Sequence, residues 1–139
     1  MRAIFAGLAV LAFVLVVTGV PAAGDDTDDA VKKAQAAFDT AETKQKEQLV
    51  AAFEKAIKDV SRTGSLQDVE ALRREQAAFN ETGVVPKSPK MKAAGQKYVR
   101  AMKPVLGKLE GALEKAIATR TKASDLDAAK MFQTTLENL

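Results

Sequence analysis

Phe53-Glu54-Lys55-Ala56-Ile57 returns, with one apolar exchange, as Leu113-Glu114-Lys115-Ala116-Ile117, 60 residues further on. Nine residues beyond each isoleucine stands a leucine, Leu66 in one case and Leu126 in the other. Working outward, residues 30–79 lie over residues 90–139 without a gap, and ten positions are identical. Outside the pentapeptide these are Lys32/Lys92, Ala34/Ala94, Ala41/Ala101, Leu49/Leu109, Ala52/Ala112 and Leu66/Leu126. Phe38/Tyr98 and Leu72/Phe132 match in kind. A fixed period signals a structural unit used twice, each copy needing a neighbour to bury its apolar face.

The apolar register identifies the unit. Val31, Ala34, Phe38, Ala41, Gln45, Leu49, Phe53, Ala56 and Val60 succeed one another at spacings of three and four. Met91, Ala94, Tyr98, Ala101, Val105, Leu109, Leu113, Ala116 and Arg120 do the same in the second copy. That is a helix period and not a strand period. It predicts long helices over 28–62 and 89–122, each roughly 50 Å at ~1.5 Å per residue. Gly64 ends the first, and Ser65, with Asp68 three residues on, caps a shorter helix over 65–82. Ser124 or Asp125 caps the second short helix, over 125–138, with Asp127 completing the box after Ser124. The expected fold is all-α: two tandem long–short helical hairpins, duplicated at a 60-residue offset, in an elongated coiled-coil-like bundle. Each short helix covers only the later half of its long one. The earlier halves, around 30–45 and 90–105, are left to pair with each other or with a second molecule.

The hairpin repeats occupy 30–82 and 90–139, joined by the linker G-V-V-P-K-S-P at 83–89. Gly83 and Pro86 close one helix, and Ser88-Pro89 opens the next with proline where its missing N–H costs nothing. Pro104 falls inside the second long helix, where it removes a hydrogen bond and crowds the carbonyl of Arg100. Gly95, Gly107 and Gly111 weaken the same helix, so a kink is expected near 101–104.

The first residues address the chain. Met1-Arg2 precedes fifteen uncharged residues and then T-G-V-P-A-A-G, the plan of a secretory signal peptide over 1–22. The rival reading is an uncleaved N-terminal anchor, since residues 3–20 are barely long enough to span. Both place the remainder of the chain outside the cytoplasm, in a bacterial periplasm or beyond it. With no cysteine there is no disulfide framework and no lipid-anchored lipoprotein. An acidic segment, expected to be disordered, occupies 23–29.

Composition excludes most chemistry. There is no histidine, cysteine or tryptophan, so Cys–His and Ser–His catalysis, the usual zinc ligands and haem ligation by His or Cys are out of reach. No phosphate-binding loop or calcium-loop pattern is present. Glu54 and Glu114 occupy equivalent places, which repeat symmetry explains without a catalytic pair. Asp25, Asp26, Asp28 and Asp29 suit a helix start better than a calcium site. Residues 25–139 hold 26 Leu, Ile, Val, Phe and Met against 20 Ala, a thin core without room for a small-molecule pocket. No enzyme, cofactor, metal or small-molecule substrate is expected.

Charge is divided between the halves. Residues 25–82 carry thirteen acids and nine bases, a net of −4, whereas residues 83–139 carry five acids and eleven bases, a net of +6. Between Glu81 and Glu110 there is no acid, yet Lys87, Lys90, Lys92, Lys97, Arg100, Lys103 and Lys108 occur there. From Lys90 onward they fall within an arc of roughly 160° opposite the apolar stripe. This face is a candidate for an anionic partner or a membrane surface; otherwise it is a solvated face that also attracts the acidic first half. Nucleic acid is not expected, because the interleaved aromatics that stack on bases are missing. Tyr98, the sole tyrosine, lies on the apolar stripe as a core residue.

The long helix ending E-K-A-I, the turn K-A-S-D-L-D-A-A, and the proline linker before a helix with one tyrosine resemble helical regions of secreted planctomycete proteins. The likeness covers about residues 49–139, and departs from the usual pattern at Ser124 and Thr135. It implies an exported, all-helical module and carries no activity. The expected function is a non-enzymatic protein-contact or structural module of the cell envelope, through a partner or self-association. The alternative is a binder of envelope surfaces or anionic polymers through the face at 87–108.

Overall fold

The computed structural model describes residues 26–139, so the signal peptide expected over 1–22 and the start of the expected acidic segment lie outside the described residues. The protein is all-helical: α1 spans Asp26–Thr63, α2 Leu66–Thr82, α3 Lys92–Lys122 and α4 Leu126–Glu137. No strand occurs among the described residues, and none of their helices is long and apolar enough to cross a membrane.

Helix α1 opens earlier than its apolar stripe suggests. Asp26, Asp28 and Asp29 occupy its first turn, where their charge meets the positive end of the helix dipole. Helix α3 opens later than Pro89. The Ser88 carbonyl accepts from Met91 N and Lys92 N, so a turn around proline precedes the regular helix. Through Pro104 the helix does not break. Arg100 and Pro104 are both exposed, so water can hydrate the carbonyl that proline leaves without a partner.

The two sharp turns are built alike. Gly64 is left-handed at φ 77° and Ser124, 60 positions later, is left-handed at φ 59°. Ser65 then accepts from Asp68 N at 3.4 Å, and Asp125 accepts from Ala128 N at 3.3 Å. The second cap is therefore Asp125. Ser124 holds the place of the glycine, so the capping box of Ser124 with Asp127 does not form.

Two compact units divide the described chain. The first comprises residues Thr43–Ala101, and the second joins 26–42 to Met102–Leu139. Each contains part of α1, part of α3 and one short helix. The earlier part of α1 thus belongs with the later part of α3, and the earlier part of α3 with the later part of α1. Val31 and Phe38, like Met91 and Tyr98, are buried by the chain itself, with no second molecule needed. In the first unit Phe53, Leu72 and Phe79 are buried, and Phe79 meets Tyr98 edge to face at 5.4 Å between centroids. In the second, Leu109, Leu113, Ala116 and Ala129 form the core. Arg120, on the apolar stripe but only 18% exposed, reaches Asp28 at 2.6 Å and Asp125 at 3.2 Å. It ties the start of α1 and the cap of α4 to the end of α3.

Candidate functional site

The linker between α2 and α3 makes a concave feature that gathers predicted binding residues. Gly83 stops α2 in the left-handed conformation, φ 70°, its N–H donating to the Phe79 carbonyl at 2.8 Å. The chain then runs without regular structure and is pinned by Glu75, whose Oε1 accepts from Lys87 N at 3.2 Å and Ser88 N at 2.9 Å. Glu75 Oε2 and Ser88 Oγ are buried and make no hydrogen bond. Beyond the turn, α3 returns alongside the linker. A Cβ on Gly95 would stand 2.9 Å from Val85 Cγ1 and 3.0 Å from the Pro86 carbonyl oxygen, so this close approach requires glycine.

Between linker and helix lies an open groove of about 500 Å³, lined by Val85, Pro86 and Lys87 on one side and by Lys92, Gly95, Gln96, Val99 and Arg100 on the other. The helical residues have the spacing of one face. Val85, Pro86, Gly95 and Val99 make an apolar floor, Gln96 contributes one amide, and Lys87, Lys92 and Arg100 bring positive charge to its edges.

All seven predicted cations are exposed, and none makes an ion pair or a side-chain hydrogen bond with another of the described residues. Lys87, Lys92 and Arg100 are brought together at the groove. Lys90, in the turn, and Lys97, on α3, belong to the same unit but do not line it. Lys103 and Lys108 are on α3 in the second unit. No carboxylate, hydroxyl or thiol lines the groove, which can hold an apolar group and surround it with positive potential. Sequence reasoning found the cations and missed Val85, Pro86, Gly95, Gln96 and Val99. The available signal was small and apolar residues at helical spacing between lysines, next to a proline linker.

Elsewhere, Glu54 and Glu114 are exposed, and among the described residues no group of three or more acidic side chains converges as a metal site. Asp28, in the acidic start of α1, is occupied by Arg120. No protein-family model, curated protein or solved structure matches the chain.

Proposed function

We propose that the protein is an exported, non-enzymatic helical module of the cell envelope whose work is contact with other proteins, built from two long–short hairpins by duplication. The sequence start supports export, and its likeness to secreted planctomycete helical regions agrees. Duplication is supported by turns of the same geometry 60 residues apart, Gly64-Ser65 and Ser124-Asp125. Buried residues recur at that offset as well: Phe38 with Tyr98, Leu49 with Leu109, and Phe53 with Leu113.

The observation that carries the contact reading is a pair of exposed leucines at equivalent places. Leu66 is 70% exposed and Leu126 is 56% exposed, each the first residue of its short helix. A large apolar side chain repeated in water at the same point of two turns suits a partner better than a core. Photo-crosslinkers at these two positions, in the producing cell, should give discrete adducts of defined mass that a crosslinker at exposed Lys58 does not. Diffuse or absent adducts, with strictly monomeric light scattering at high concentration, would remove the reading.

A second reading has its own support. Seven exposed cations, with no ion pair among the described residues, suit an anionic polymer or lipid headgroups as well as an acidic protein. Cosedimentation with anionic vesicles or glycans that falls steeply as salt rises would favour it.

A further inference from the structure

We infer that the groove between the linker and α3 is a recognition slot for an extended, acidic segment of a partner protein, with two carboxylates flanking one apolar side chain. This rests on the protein-contact reading above and names a surface and a partner chemistry for it. Three observations converge on the slot. Its floor is apolar and its edges carry Lys87, Lys92 and Arg100, none engaged by an acid among the described residues. Its walls are fixed before any partner arrives, by the two hydrogen bonds to Glu75 and by the contact of Val85 and Pro86 on Gly95. A preformed site spares the ordering cost of binding. No acid occurs between Glu81 and Glu110 to compete for the cations.

Charge and shape together choose the occupant. A free inorganic anion would use the cations and leave the apolar floor idle. A bilayer presents a flat face and would touch the edges without entering between linker and helix. Single-stranded nucleic acid would need exposed aromatic rings, and Tyr98, the only tyrosine, is buried. An extended chain segment fits both components. Lys92 and Arg100 are eight residues apart on α3, roughly 12 Å along the axis at ~1.5 Å per residue. In an extended segment, side chains four positions apart are separated by about 13 Å at ~3.3 Å per residue. An acid, three intervening residues with the central one apolar, and a second acid therefore match the two cations and the floor between them.

The test uses the full chain and a fluorescent, end-blocked five-residue peptide with aspartate at both ends, leucine at the centre and serine between. Fluorescence anisotropy should show saturable binding. Replacing the peptide's leucine by serine, or its aspartates by asparagine, should weaken binding about tenfold, as should Lys92→Ala with Arg100→Ala in the protein. Lys97→Ala, outside the groove, should leave binding unchanged, and circular dichroism should show the same helix content in every variant. Equal binding of the serine-centred peptide, or equal loss with Lys97→Ala, would overturn the slot in favour of a diffuse positive surface. Binding of phosphatidylglycerol vesicles without peptide binding would overturn it in favour of a membrane surface. Self-association abolished by the Lys92/Arg100 pair, again without peptide binding, would make a second copy the occupant. If the peptide fails while adducts at Leu66 and Leu126 persist, the slot is lost and the protein-contact reading stands.

Discussion

Exchanging the residues of the two turns provides a quantitative test of how they are built. Gly64 and Ser124 are both left-handed, and nothing lies within 4 Å of where a Cβ on Gly64 would sit, so conformation alone distinguishes glycine from serine there. An L-residue other than glycine costs roughly 1–2 kcal/mol in that region. Glycine returns about 0.5–1 kcal/mol of this as unfolded-chain entropy. The net expectation is that Ser124→Gly stabilises by about 0.5–1 kcal/mol and Gly64→Ser destabilises by a similar amount. For about 115 residues the unfolding entropy is roughly 0.24 kcal/mol per kelvin, so each shift in Tm is about 2–4 °C, upward for Ser124→Gly and downward for Gly64→Ser. Thermal unfolding monitored by circular dichroism at 222 nm measures both. The turns are far apart in sequence and bond to no residue in common, so the double variant should return close to the parent. A fall in Tm with Ser124→Gly would refute the conformational argument, because it would mean that the serine side chain makes a contact worth more than the backbone strain it causes.

Three further sets of substitutions probe particular contacts. Arg120→Met should cost about 1–2 kcal/mol in denaturant unfolding, because it removes two charge-assisted bonds whose partners are only partly screened by water. Gly107→Ala should stabilise by about 0.5–1 kcal/mol as a helix-interior glycine with open space around its Cβ position, whereas Gly95→Ala should destabilise because the linker stands in the way; equal effects at the two sites would contradict the close approach. Glu75→Ala should cost about 1–3 kcal/mol by releasing Lys87 N and Ser88 N, and hydrogen exchange should accelerate at those two amides while the Gly83 amide, bonded to Phe79, stays protected.

The elements that sequence made legible are those set by local physics. Spacings of three and four marked the long helices, and Gly64-Ser65 marked a turn, because a left-handed stop and a hydroxyl cap act within a few residues of themselves. Assignment of partners was not legible. The apolar stripe says which face of α1 is buried but not against what, and the early stretches left without cover in a hairpin scheme are each covered by the later part of the other long helix. Gly95 shows the same limit at a single residue. Within a helix period it reads as a weakness, and only the return of Val85 and Pro86 across it turns it into a requirement. The groove was hidden for that reason: two of its cations are on one helix, but its floor needs the linker.

Val60 and Arg120, 60 residues apart, belong to units whose short helices differ in length. Val60 is buried in the first unit, whose short helix has 17 residues. Arg120 belongs to the second unit, whose short helix has only 12 residues. Fewer residues cover less apolar surface, and burial alone holds such a helix weakly. Arg120 supplies a directional fastening instead, with one carboxylate at the start of α1 and another at the cap of α4. Asp28 is 92 residues away in sequence, so the stripe on α3 alone gives no sign of this pair. The same pairing gives the acidic start of α1 an internal role, in which the cations between Glu81 and Glu110 take no part.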